Sequence, residues 1–130
     1  MILKTENLTI GYGNKAVQRN LNLEASPRDL ICLTGTNGSG KSTLLRTLAG
    51  LQPALDGKVF IANHDISSLN VHQRSTLFSL VLTDDIDIDR LTVRELVAMG
   101  RFPYTTWAGA LSKTDEAIFD KALADVHLSH

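Results

Sequence analysis

The run Gly35 to Thr43, GTNGSGKST, limits what this chain can fold into more than any other segment. It fits G-x-x-x-x-G-K-[ST] from Gly35 to Ser42. The apolar residues Leu30, Ile31, Cys32 and Leu33 precede it and read as a strand. A helix-forming stretch, Ser42 to Ala49, follows, with Gly50 where a helix would stop. Strand, glycine-rich loop, lysine and helix, in that order, fold around an anion. The glycines let backbone N–H groups converge on it. The helix N-terminus adds about half a positive charge at the same place. Lys41 would reach the outer phosphates of such a ligand, and the Ser42 hydroxyl would ligate Mg²⁺. A glycine-rich turn that binds nothing would leave both flanks unexplained. The candidate phosphate contacts are therefore Gly35, Thr36, Asn37, Gly38, Ser39, Gly40, Lys41, Ser42 and Thr43.

The rest of the composition narrows the class. At 130 residues the chain is one domain or a piece of one, and 43% apolar residues can bury a core. Thirteen basic residues against 14 acidic give no basic field, which argues against a nucleic-acid partner. The single cysteine, Cys32, excludes an internal disulfide and suits a reducing compartment. Its place in an apolar run predicts a buried structural thiol. No apolar run approaches the ~18 residues of a membrane span, and no signal-peptide pattern opens the chain. The expectation is a soluble intracellular chain that can still dock on a membrane protein. His64, His72, His127 and His130 show no ligand spacing and read as surface residues.

Along the chain, Ile2 to Ile10 reads as a strand, Gly11 to Asn14 as a turn and Val17 to Leu23 as a second strand. After the loop, Leu44, Leu45 and Leu48 share one helix face. Asp56-Gly57 reads as a turn and Lys58 to Ala62 as a strand. Residues 65–76 read as a short helical connection, and Phe78 to Leu82 as a buried strand. Thr92 and Glu95 form a capping-box pattern, with a helix to Met99 that stops at Gly100. Ser112-Lys-Thr-Asp115 opens another helix, whose stripe of Ile118, Phe119, Ala122, Leu123 and Val126 is expected to pack in a core. Strands thus dominate before the glycine loop and helices after residue 90. Small nucleotide kinases and GTPases usually place this loop directly after their first strand. Here an expected antiparallel hairpin comes first.

That hairpin carries a second signal. Tyr12 stands between two glycines in its turn, where an aromatic ring can stack on a base. Alone it would be a surface tyrosine. Joined to its neighbours it forms the segment "LTIGYGNKAVQRNLNLEASPRDLICLTGTNGSGKSTLLRTLAGLQPALDGKVFIANHDI", which resembles the nucleotide-binding subunit of ABC transporters. "LTGTNGSGKSTLLRTLAG" is similar to that family's Walker A segment, and "LQPALDGKVFIANHDI" to the strand-turn segment after it. The resemblance implies an α/β fold, a P-loop NTPase (RecA-like) core with a leading antiparallel β-subdomain and the start of a helical subdomain. Residues 1–90 would hold the β-subdomain and the first part of the core, and 91–130 the beginning of the helical subdomain. ATP and Mg²⁺ are the implied ligands, with Tyr12 stacking on adenine. Transmembrane permease subunits and a second ATPase subunit are the implied partners, at the cytoplasmic face of the inner membrane. "LTVRELVAMGRFPYTTW" looks like the ATPases of importers for iron-siderophores, haem and cobalamin. Gly100 to Trp107, with Phe102, Tyr104 and Trp107, would then help form the dock for a permease helix; plain local packing is the competing reading.

The chain also departs from the family pattern. Where most members carry a glutamine that helps hold Mg²⁺, the alignment places Thr83, followed by Asp84 and Asp85. Thr83 or Asp84 is a candidate metal contact, against the plainer reading of Asp84, Asp85, Asp87 and Asp89 as a solvated acidic loop. "FSLVLTDD" also has the form of a strand ending in the metal acid of a small kinase. That reading leaves Tyr12 and the leading strands unexplained, and no Asn-Lys-x-Asp of a GTPase is present. No LSGGQ-like signature, Walker B with a catalytic Glu or switch histidine is found. The expectation is the N-terminal part of a longer ATPase with its C-terminal part missing, binding ATP weakly and not hydrolysing it. A non-catalytic truncated module and a small kinase are the alternatives.

Overall fold

Alternating aliphatic and polar residues at the start of the chain form β1 (Leu3–Tyr12), the strand on which the first part of the structure is built. This is a computed structural model that describes residues 1–81, 91–104 and 111–128. Two compact units, Met1–Leu80 and Val81–His130, make up the chain. Thr83, Asp84, Asp85, Asp87, Asp89, Leu82, Trp107 and His130 lie outside the described residues.

In the first unit β1 turns at Gly13-Asn14 into β2 (Lys15–Leu21). Gly13 has φ 53, which the two-residue turn needs and which glycine adopts without strain. Next come the short β3 (Glu24–Ala25), helix α1 (Lys41–Leu48), β4 (Asp56–Ile61), β5 (His64–Asp65), a 3₁₀ turn (Ile66–Ser68) and α2 (Val71–Leu77). The sheet order is β2-β1-β4-β5, with β3 also on β1, and every pair is antiparallel.

The β1–β4 ladder runs Leu3–Ile61, Lys4–Phe60, Thr5–Val59 and Glu6–Lys58, then breaks and resumes at Thr9–Asp56. β1 therefore carries one more residue than β4 across the break, a β-bulge. Asn7 sits there at φ 49 and Gly57 opposite at φ 80. A Cβ on Gly57 would stand 2.5 Å from the carbonyl oxygens of both Asn7 and Glu6, so only glycine fits. The bulge also switches which side chains face inward. Thr5 is buried before it, and Leu8 and Ile10 after it. This is why the alternation in Ile2 to Ile10 is loose in the sequence. Leu8 and Ile10 pack with Leu44 of α1, Val59 and Ile61 of β4 and Ile66. Burying each such side chain contributes about 1.5–3 kcal/mol.

Two expected strands are not formed. Leu30 to Leu33 has no strand geometry, and Leu30, Ile31 and Leu33 are exposed. Phe78 to Val81 is likewise without strand structure, with Phe78 half-buried and Val81 exposed. Both readings rested on apolar composition, but a strand also needs a neighbour for its N–H and C=O groups. Among the described residues no strand lies beside either segment. Cys32 shares the exposure of its segment, which overturns the expectation of a buried thiol.

The second unit is helical. α3 (Val93–Met99) opens with the expected capping box: Glu95 N–H donates to Thr92 Oγ1, and Thr92 N–H donates to Glu95 Oε2. α4 (Lys113–Asp125) opens with another between Ser112 and Asp115. Its apolar stripe is buried only in part. Phe119 and Leu123 are buried, whereas Ile118, Ala122 and Val126 are exposed. Arg94 of α3 stacks over the Phe119 ring at 4.1 Å from its centroid and meets Asp120 at 3.3 Å.

Asp115 also reaches back along the chain. Arg101 Nη2 lies 2.7 Å from its Oδ1, while the Ser112 hydroxyl donates to Oδ2 at 2.6 Å. The Ser112 hydroxyl, its backbone N–H and then Arg101 hold the Asp115 carboxyl down at about 2. Arg101 covers the Tyr104 ring at 4.1 Å from its centroid. The 3₁₀ turn Phe102–Tyr104 is thereby tied to the start of α4, with Phe102 and Tyr104 exposed.

Candidate phosphate-binding site

The glycine-rich loop leads into α1 as the motif requires. Gly40 is the residue before the helix, at φ 97, and Leu44 N–H closes the first helical turn on the Gly40 carbonyl at 2.8 Å. Helix geometry leaves the N–H groups of Lys41, Ser42 and Thr43 without intrahelical acceptors, aimed at the loop. Gly40 has no side chain to cap them, so they are available to an anion. Helix α1 ends at Leu48, capped by Ala49 and followed by Gly50 at φ 64, the expected stop.

The glycines hold the loop close to its surroundings. A Cβ on Gly40 would meet Val17 Cγ1 of β2 at 2.7 Å, and one on Gly35 would meet Ser39 Oγ at 2.9 Å. Gly38, at φ 81, faces open space, so there it is backbone freedom that matters. The Ser39 N–H donates to Thr36 O at 3.3 Å, tightening the turn through Asn37. Gln18 Nε2 of β2 donates to Ser39 O at 3.3 Å. The hairpin therefore braces the loop through Val17 and Gln18. Neither residue stands out in the sequence, since a hairpin partner becomes visible only once the register is known.

Lys41 is folded onto its own loop. Its ammonium donates to Gly35 O at 2.9 Å and Thr36 O at 2.8 Å. A flexible cation held by two carbonyls at the loop mouth is where an incoming phosphate would attract it. Ser42 is exposed at the helix start, and its hydroxyl makes no hydrogen bond among the described residues. It is free to take a hard cation such as Mg²⁺.

Tyr12 closes the hairpin side of the site. Tyr12 is 56% exposed, enough for a base to stack on its ring. Its hydroxyl shares a hydrogen bond of 3.1 Å with Thr43 Oγ1 in the first turn of α1. Gly11 beside it is buried, and its carbonyl accepts a hydrogen bond from Gln52 Nε2. The structure thus gathers Tyr12, Gly35 to Thr43 and the start of α1 into one region, with the candidate metal contacts Thr83 and Asp84 outside the described residues. His64, His72 and His127 are exposed, and no cluster of metal-ligating side chains occurs among the described residues. No described helix is long and apolar enough to cross a membrane.

Similarity to known proteins agrees with this geometry. The chain is 37% identical over 122 residues to the petrobactin import ATP-binding protein FpuD of Bacillus anthracis, covering 94% of this chain and 45% of the relative. It is 37% identical over 131 residues to the ferric enterobactin transport ATP-binding protein FepC of Escherichia coli, covering 98% and 47%. The chain spans about half the length of the curated relatives it matches. Among solved structures it superposes, with a TM-score of 0.74 and 25% identity, on a dimeric ATP-binding cassette in a post-hydrolysis state with ADP and Pi bound. That match covers 97% of this chain and 56% of the cassette. The fold is accordingly part of an α/β P-loop ATPase, its antiparallel sheet leading into the loop and helix. Residues 18–130 match the ABC transporter family, and the chain belongs to it.

Proposed function

We propose that this chain is the ATP-binding portion of an importer ATPase, serving uptake of an iron-siderophore, haem or cobalamin. The observation that carries the reading is the loop itself. Open N–H groups of α1, the Lys41 ammonium at the loop mouth and the Tyr12 ring form a cradle for a base with a polyphosphate tail. Gly35 to Thr43 would hold the phosphates and Tyr12 the adenine. Lys41 would leave the carbonyls of Gly35 and Thr36 to contact the outer phosphates, a charge-assisted exchange that costs the loop little. Ser42 would hold Mg²⁺, with Thr83 or Asp84 as a further contact. When bound, the ion neutralises charge that develops on the phosphoryl group. Positioning of ATP is the part of catalysis these residues supply.

The substrate class is supported by the relatives named for petrobactin and ferric enterobactin and by the Thr92 to Pro103 segment. Residues 1–90 would serve as the β-subdomain and first part of the core, and 91–130 as the beginning of the helical subdomain. Permease subunits and a second ATPase subunit would be the partners, at the cytoplasmic face of the inner membrane. The exposed Phe102 and Tyr104 would contribute to the permease dock. The 130-residue chain would bind ATP weakly and turn it over negligibly, since the family's signature segment, catalytic Glu and switch histidine are absent from it.

Titration with a fluorescent ATP analogue tests this. Lys41→Ala is expected to weaken binding at least about 10-fold, as loss of a charge-assisted contact does. Binding unaffected by that change, or no binding by the parent chain, would leave a non-catalytic module. Steady phosphate release dependent on Lys41 would refute the negligible turnover.

A further inference from the structure

The hydrogen bond between Tyr12 and Thr43 joins the two halves of the site. Tyr12 lies at the tip end of β1, in an exposed hairpin where a tyrosine side chain ordinarily samples several rotamers. Thr43 lies in the first turn of α1, 94% buried and therefore fixed. Their hydroxyls meet at 3.1 Å. We infer that Thr43 is a positioning residue: it anchors the far end of the Tyr12 ring, so that the open ring face stands at a set distance from the phosphate loop.

The argument is one of pre-organisation. A base stacks on a ring whose plane is already held more tightly than on one that must be immobilised on binding. Because the anchor is one residue from Ser42 and two from Lys41, the base platform and the phosphate cradle share a rigid element. A ligand with both a base and a polyphosphate then gains from both contacts at once. A polyphosphate without a base gains from the loop alone. Thr43 thus contributes to selection of a nucleoside triphosphate over free polyphosphate, through its side chain rather than its backbone. This rests on the nucleotide reading above, and the test separates the two.

The affinities of ATP and inorganic tripolyphosphate are measured for the chain and for Thr43→Val, Thr43→Ser, Tyr12→Phe and the Thr43→Val/Tyr12→Phe pair. Valine keeps the shape of threonine and removes only the hydroxyl. The ratio of ATP to tripolyphosphate affinity is expected to fall about 2- to 10-fold in Thr43→Val, the range of one hydrogen bond. Serine restores the ratio. Tyr12→Phe lowers it by a similar factor, and the pair lowers it no further. An unchanged ratio in Thr43→Val, or single effects that multiply in the pair, would overturn the inference. A second measurement needs no ligand. Tyr12 and Tyr104 are the two tyrosines, so ring-labelled tyrosine gives two assignable NMR signals. The Tyr12 signals should shift and narrow in Thr43→Val and return in Thr43→Ser. If they do not move, there is no anchor, whatever the nucleotide does. If they move but neither ligand binds, the anchor stands as a structural contact and both its role in selection and the nucleotide reading fail.

Discussion

The two units hold their shape by different means. Met1–Leu80 rests on a five-stranded ladder and a cluster of buried aliphatic side chains. Val81–His130 has, among its described residues, Phe119 and Leu123 as its buried apolar side chains, and relies on capping boxes and the Arg101–Asp115 pair. Apolar burial is non-directional and indifferent to pH. Caps and charged hydrogen bonds are directional and lost when one partner changes its protonation. The first unit should therefore respond to volume and backbone changes, and the second to acid.

The largest effect is expected in the aliphatic cluster. Ile10→Ala should destabilise the first unit by about 2–5 kcal/mol, read from urea unfolding. A cost below about 1 kcal/mol would mean that this cluster does not carry the unit. Next comes Gly57→Ala, which places a methyl group against the carbonyls of Asn7 and Glu6 at a positive φ. It should cost about 1–3 kcal/mol, and a neutral result would show that the bulge relaxes without strain. Acid sharpens the other side. The Asp115 carboxyl lies near 2 in the folded chain against an ordinary 3.8, so its contribution is fully present above 3.8. It is lost progressively as pH falls from there toward 2. Amide NMR signals of α4 should weaken across that window before those of β1, and Asp115→Asn should remove the difference. Smallest of all is Leu30→Ser, at an exposed position, which should stay within about 0.5 kcal/mol.

That last substitution shows where reading the sequence stops. Leu30 to Leu33 and Ile10 are equally apolar, yet only Ile10 is buried. Composition names a strand former, but pairing depends on residues distant in sequence. The short-range signals fared differently. The stop at Gly50, the capping box at Thr92 and the helix start at Ser112 are each set by residues within four positions, and each formed where expected, while the turn expected over Gly11 to Asn14 narrows to Gly13-Asn14. The glycine loop was legible for the same reason. Its bracing by Val17 and Gln18 and the Tyr12–Thr43 bond were not, because they join residues 21 to 31 apart through a register no local pattern encodes. The α4 stripe was half right: spacing identified the helix face, but burial depended on what covers it.

The bulge in β1 has a further consequence. It works as a phase shift: residues before Asn7 and residues from Leu8 onward present opposite parities to the same interior. A single strand can then stay paired with β4 on both sides of the break while Leu8 and Ile10 pack against Leu44 of α1. It also couples the length of the strand to its pairing with β4. Were the strand to lose the bulge at its present length, Leu8 and Ile10 would turn outward together, whereas removing Asn7 would leave a plain alternation with Leu3, Thr5, Leu8 and Ile10 all inward. The direction in which Leu8 and Ile10 point is thus set by the bulge, even though Asn7 itself stands at the surface.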